Sequence, residues 1–422
     1  MLSVSAGRQG KAQEKMQLST GASSAQRVLA HLLGQVKPVT RPEMALACEL
    51  SRPTVLAAVE RLEELGLVAA LGQRSGLPGR SATLYEVPVA AGVVAAVDIG
   101  GSNLRVALTD ARGNLLVESR DATSVSGGPA ITARAAELLH KAYRDLLDPG
   151  PMGMVAVSVP GVVAADGKTV HYAWNVGQPE PFDFHTPLAQ ALEVPVLLDN
   201  NVNLAAIGEL WQGAAQDLDT FAVIAVGAGV GAGLVHNGDL LRGAHGAAGE
   251  VASLPLSAHF RPQQAGSPDE AGGIMLLRAA QDRKDWGRQG PPASVEELYV
   301  RAAHGEAPAL ALVEEESRRI ALIAASICAV IDPEAIILTG GVGANETLVK
   351  RTGQLVAELA PFPPEVLRSA LGDRASLVGA IAVGIRAAQA GLISLAGEAP
   401  SGSHVLSSTP TWPSPVRRLR QD

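Results

Sequence analysis

Aromatic residues make up only 3% of the 422-residue chain, and cysteine occurs twice, at Cys48 and Cys328. With so few rings, a core has to be built from Ala, Val, Leu and Ile around 45 glycines, which favours α/β architecture over disorder. Two cysteines so far apart suit a reducing cytoplasm and leave no Cys-rich metal site. Long apolar runs are missing too. Stretches such as Phe221 to Leu234 are broken by glycines and fall short of the roughly 18 residues a membrane span needs, so no membrane partner is expected. The first 23 residues carry Arg8, Lys11 and Lys15 without an apolar segment and do not read as a secretory signal.

What is present divides the chain, whose length suits two or three domains. The net charge of −8 is unevenly spread: residues 1 to 90 carry 10 Lys and Arg against 7 Asp and Glu, a net of +3, and the other 332 carry 24 against 35, a net of −11. A basic front on an acidic body points to a nucleic-acid module joined to something else. Residues 1–23 and 396–422 are polar or rich in Ser, Pro and Gly and are expected to be disordered tails, the second with a basic cluster at Arg417, Arg418 and Arg420. Two units remain between them, 24–90 and 91–395.

In the first unit, Val28, Leu29, Leu32 and Leu33 share one helical face up to Gly34. Thr40 and Glu43 form a capping box around Pro42, opening a short helix. Ser51 then caps another, with Pro53 in its first turn, Val55, Val59 and Leu62 on one face, and Gly66 as its stop. Strands over Leu67 to Leu71 and Ala82 to Val87 flank a Gly- and Pro-rich turn. This is the layout of a winged helix-turn-helix. Arg52 and Thr54 are placed to reach base edges or phosphates, Ser51 to cap and touch the backbone, and Arg74 and Arg80 to meet phosphate or the minor groove from the wing.

The second unit alternates strands, glycine turns and helices. An apolar strand from Val93 runs into Asp98, Gly100, Gly101 and Ser102 before a second strand begins at Leu104. Such a turn presents backbone N–H groups to phosphate oxygens, and an Asp at the strand end suits a hydrated magnesium ion. A second run with Gly227 and Gly229, and a third with Gly340 and Gly341 after the strand Ile336 to Leu338, offer the same backbone chemistry.

These three elements, in this order, resemble the two-lobed actin-like ATPase (ribonuclease H-like) fold of ROK-family sugar kinases, over about residues 91 to 395. The front unit resembles the winged helix of ROK-family regulators, with Leu65, Gly66, Leu67 and Val68 followed by Gly79 and Arg80. Further matches are Pro160 and Gly161 ahead of Asn175, the run Asp199, Asn200, Asn201, Val202, Asn203 with Glu209, and Gly246 to Glu250. The resemblance implies that these runs line a cleft and bind sugar hydroxyls, through Asn175, Asn200, Asn201 and Glu250.

Three departures modify that implication. In family kinases an Asp after the first Asn of the cleft run takes the proton from the attacking hydroxyl; here the residue is Asn201. An amide has no basic lone pair at neutral pH, so general-base catalysis, typically about 10²–10⁴-fold, is lost. Asp199 lies two positions earlier and in an extended segment would share the side of Asn201. Ala228 stands where family members often have threonine, and Ser253 stands where zinc-bearing members have histidine, with His245 and His259 lacking metal-ligand partners. The expectation is a non-catalytic, sugar-responsive transcriptional repressor that binds operator DNA as a homodimer or homotetramer. It has a vestigial nucleotide site and needs no metal or cofactor. The competing expectation is an ATP-dependent sugar kinase with an added DNA-binding module.

Overall fold

The computed structural model describes residues 22–74, 82–123, 126–254 and 271–397. The expected tails therefore lie outside the described residues, apart from Ala22 and Ser23, whose hydroxyl caps α1, and Ala396 and Gly397, which end the last helix. The front unit consists of α1 (Ser24–Leu33), β1 (Val39–Thr40), α2 (Arg41–Ala47), α3 (Arg52–Glu64), β2 (Ala69–Arg74) and β3 (Ala82–Glu86). The Ser51 hydroxyl accepts the Thr54 N–H at 3.2 Å and so opens α3. At the other end Gly66 takes φ +69°, which lets the Leu67 N–H return to the Leu62 carbonyl at 2.9 Å. Val55, Ala58, Val59 and Leu62 point inward against Val28, Leu29 and Leu32 of α1.

Two details depart from the periodicity. Leu67 and Val68 are buried in the turn after α3, so the outgoing strand starts at Ala69. The hairpin also gains a third strand, β1, which pairs antiparallel with β3 through Val39 opposite Tyr85. Two residues are too few to show an alternation in the sequence.

The body repeats one architecture twice. Its first sheet holds β4 (Val93–Ile99), β5 (Asn103–Asp110), β6 (Leu115–Ala122), β7 (Met152–Val159) and β11 (Val196–Asn200) in the order β6-β5-β4-β7-β11. A small sheet of β8 (Val162–Val163), β9 (Thr169–His171) and β10 (Phe182–Asp183) and the helices α4 (Gly128–Arg144) and α5 (His185–Leu192) complete this lobe. The second sheet holds β12 (Phe221–Val226), β13 (Val230–His236), β14 (Asp239–Leu241), β15 (Ala335–Thr339) and β16 (Glu365–Arg368) in the order β14-β13-β12-β15-β16. In each sheet three antiparallel strands are followed by two added in parallel. The glycine turns at Gly100–Gly101 and Gly227–Gly229 thus occupy the same hairpin of each lobe. Helices α7 (Gly273–Asp282), α8 (Val295–Ala303), α9 (Ala307–Ile331), α10 (Gly340–Gly343) and α11 (Glu346–Leu359) belong to the second lobe.

Two helices lie between the sheets, α6 (Asn201–Gln212) and α12 (Ala375–Gly397). α12 packs on β4 and β7, α6 packs on β12 and β13, and the two pack on each other. Glycines permit their close crossing: a Cβ at Gly208 would lie 2.3 Å from the Ala375 carbonyl oxygen, and one at Gly379 would lie 1.8 Å from that of Leu204. α12 also corrects the reading of apolar runs. The segment Gly372–Gly397 is long and apolar enough to cross a membrane, and half of its most apolar 18 residues are buried within this fold.

The far end of α12 reaches the front unit. Ile393 and Ala396 join the core of α1 and α3, as does Ala111 after β5. Gln26 Nε2 donates to the Ile393 carbonyl at 3.0 Å, Gln389 Nε2 donates to the Ala111 carbonyl at 2.8 Å, and Arg112 pairs with Glu86 at 2.9 Å.

Candidate ligand cleft and nucleic-acid face

The turn between β4 and β5 requires small residues. A Cβ at Gly100 would sit 2.9 Å from the Asn103 carbonyl oxygen, and one at Gly101 would sit 2.9 Å from that of Asn175. Thr123 braces the turn by donating its hydroxyl to the Gly100 carbonyl at 2.8 Å and its N–H to that of Ser102 at 3.1 Å. Gly101, Ser102 and Asn175 are all exposed beside one another. In the second turn the Gly227 and Ala228 carbonyls accept the N–H groups of Gly273 (2.7 Å) and Ile274 (3.2 Å), so the first donors of α7 are spent inside the protein. Gly340, at φ +89°, would place a Cβ 2.6 Å from the Val226 carbonyl oxygen; as glycine it lets α10 rest on the end of β12. Gly341 faces open space.

A short 3-10 segment, Gly372–Arg374, joins these turns across the lobes. Thr339 Oγ1 donates to the Gly372 carbonyl at 2.9 Å, Arg105 pairs with Asp373, and Arg374 pairs with Glu118 of β6. Asp98 lies just inside, 5% exposed, accepting hydroxyls from Ser158 at 2.7 Å and Ser376 at 2.9 Å, with Arg105 Nη1 at 3.5 Å. Burial raises the Asp98 pKa, and the two serines and Arg105 pull against that rise. Arg105 already supplies the positive charge that faces this carboxylate. A hydrated magnesium ion does not fit at Asp98 unless Arg105 moves, which departs from the expectation for this residue.

The polar run sits where β11 becomes α6. Asn200 caps the helix, its Oδ1 accepting from the Val202 and Asn203 N–H groups at 2.8 and 3.1 Å and its Nδ2 donating to the Gly161 carbonyl at 2.8 Å. Both ends of its amide are engaged by the fold. Asn201 follows as the first residue of α6 and is partly exposed. The extended geometry expected to align Asp199 with Asn201 therefore ends one residue too early. Asp199 is instead held by Arg242 at 2.9 Å, Asn203 Nδ2 at 3.2 Å and the Asn200 N–H at 2.7 Å. Glu209, grouped with this run by resemblance, is fully buried two turns into α6. It accepts from Ser369 and from the Ala214 N–H (2.7 Å), a structural staple rather than a cleft residue.

The loop from Arg242 to Glu250 spans the lobes. Gly246 lies against Val163 of β8, where a Cβ would come within 2.2 Å of the carbonyl oxygen, and Gly249 lies against Ala232 of β13, at 1.9 Å. Glu250, at the end of this bridge, is exposed. Asn175 and Glu250 are exposed and Asn201 is partly so, while Asn200 and Asp199 are held by their neighbours. Arg242 and Arg105 escaped the sequence reading. Arg105 carried a signal, a lone charge in an apolar strand; Arg242 lies in a polar loop and carried none. Among the described residues no cluster of three or more His, Cys, Asp or Glu could hold a metal, and His259 lies outside them.

On the front unit, Ser51 and Thr54 share a hydroxyl contact at 2.7 Å at the start of α3, and Arg52 beside them is exposed. Arg74 ends β2, opposite Ala82. Arg80 lies outside the described residues.

The chain has relatives among known proteins. A glucokinase from Halalkalibacterium halodurans is 27% identical over 283 residues, 60% of this chain and 82% of its own. A xylose repressor from Bacillus spizizenii is 22% identical over 369 residues, 84% of this chain and 93% of its own. The solved structure of a ROK family transcriptional regulator, a homologue of the E. coli MLC protein, superposes with a TM-score of 0.68 at 19% identity, covering 88% of this chain and 97% of that one. The shares covered by the repressor and the regulator are too large to be met without part of the chain ahead of residue 94. The ROK family sequence profile itself matches residues 94–386, well over half of the chain, and by that match the protein belongs to the ROK family.

Proposed function

We propose that this chain is a sugar-responsive DNA-binding regulator, a repressor acting as a homodimer or homotetramer in the cytoplasm, whose kinase-like body senses a sugar without phosphorylating it. Asn201 carries the reading. It begins α6 at the place where the family's kinases have their base, and Asp199 is already committed to Arg242 and Asn203. The cleft still offers short amide and carboxylate side chains of the kind that sugar hydroxyls need. Closure of its two lobes on a ligand shifts the DNA-binding module only if the ligand favours one arrangement, and α6 and α12 supply the physical link. Two half-sites on an operator require two copies.

The test is an operator titration, with a duplex selected from random sequence, in the presence and absence of a panel of sugars. Arg52→Ala is expected to weaken binding by about 5- to 150-fold, equivalent to about 1–3 kcal/mol. Glu250→Ala is expected to keep the unliganded affinity and lose the sugar effect, a coupling of about 1–3 kcal/mol. Failure to select any duplex would sink the proposal. The kinase reading draws on the glucokinase relative and on the hairpin of Gly100 and Gly101. Sugar-dependent ADP release that disappears in Asn201→Ala would establish it instead.

A further inference from the structure

The outer ridge of α3 has an unusual chemistry for a helix that faces solvent. Its inner face is spent on α1, with Val55, Ala58, Val59 and Leu62 buried, while Arg52, Pro53, Leu56, Ala57 and Glu60 are exposed, Leu56 at 38%. Ser51 and Thr54 use their hydroxyls on each other and on the helix cap. The first two turns therefore present Arg52, the one hydroxyl proton that the Ser51–Thr54 pair leaves over, and otherwise apolar groups. They contain no Asn or Gln to bracket an adenine and no acid to accept from cytosine. Acids appear later, at Glu60, Glu63 and Glu64, the last paired with Arg61 at 3.4 Å. Phosphates repel that half of the helix, so only the segment Arg52 to Ala57 can enter a groove.

We infer that Leu56 and Ala57, flanked by Pro53, read the C5-methyl groups of thymines in the major groove, with Arg52 marking the edge of the same half-site. This deepens the DNA-binding reading and rests on it. Arg52 opens the ridge with a positive charge, and the +3 of residues 1–90, of which +2 comes from residues 1–23 and +1 from residues 24–90, favours a polyanion over a neutral or basic protein as its occupant. Apolar contact with a thymine methyl is the one base-edge interaction that Leu and Ala side chains can make, and two helical turns cover about three to four base pairs.

Deoxyuridine tests this directly, because it pairs like thymidine and lacks only the methyl. The full-length protein is titrated against its selected operator and against copies carrying single thymine-to-uracil changes. Each contacted methyl is expected to be worth roughly fourfold in affinity, the value of one buried methyl-sized group. In Leu56→Ala, a surface change that spares the core of α3, the thymine and uracil forms of at least one position should bind alike. Uracil substitution without effect anywhere in the half-site overturns the inference while leaving the regulator reading intact. Failure to select any duplex removes both. A changed oligomeric mass in Leu56→Ala, with an unchanged preference for thymine over uracil, would make the ridge a protein interface and overturn the inference.

Discussion

Glu316, in α9, is fully buried next to the second glycine turn. One oxygen accepts the Gly272 N–H at 2.8 Å, and the other makes no hydrogen bond and depends on Arg319 at 3.6 Å. Burial raises its pKa, the Gly272 N–H and Arg319 oppose the rise, and its charge adds to the burial that pushes the Tyr299 phenol up. A carboxyl whose folded pKa lies above its unfolded value contributes stability at low pH that is lost as pH climbs past the ordinary value of 4.5. Glu316→Gln keeps the acceptor for Gly272 and removes the charge. Melting temperatures of variant and wild type should coincide near about pH 4, with the variant higher near about pH 7. A variant that melts lower at neutral pH would show that the Arg319 pair outweighs the burial cost. At this scale the sequence was informative about residue type and blind to partners: the amide at Asn201 is read directly, but only the structure shows Asp199 held by Arg242 and Asn203.

The crossing of α6 and α12 is set by two glycines. At Gly379 a methyl group would collide with the Leu204 carbonyl, a backbone atom that cannot swing aside, so Gly379→Ala must separate the helices. The expected cost is about 1–3 kcal/mol, read as a lower midpoint in denaturant. Gly341→Ala is the contrast, since nothing lies within 4 Å and its φ is not positive; its midpoint should stay within about 0.5 kcal/mol of wild type. Equal effects of the two substitutions would contradict the crossing geometry. Helices with caps and stops, such as α2 and α3, were legible because their signals are local. β1 and the burial of α12 were not, because a two-residue pairing and a helix buried on several sides leave no amphipathic period.

Across the whole molecule, α12 runs from its crossing with α6 to the core of the front unit, where Ile393 packs against α1 and its carbonyl accepts from Gln26. Ile393→Ala removes buried apolar contact worth about 2 kcal/mol or more. Calorimetry should then show the front unit melting ahead of the body, and, on the regulator function proposed above, operator affinity should lose its dependence on sugar while the unliganded value changes little. A full sugar response in this variant would exclude α12 as the route.

Local chemistry in the chain was enough for the capped helices of the front unit, the glycine turns and the family resemblance, because caps, tight turns and spacing are recorded within a few residues. Tertiary structure alone decided the rest. The pairing of Arg105 with Asp373, the staple at Glu209, the Arg242 clamp on Asp199 and the docking of α12 on α1 join residues far apart in the chain. No local period encodes such contacts. They exist because two copies of one sheet topology fold against a shared pair of helices, which brings distant charges within a few ångströms and buries them where each must find a partner.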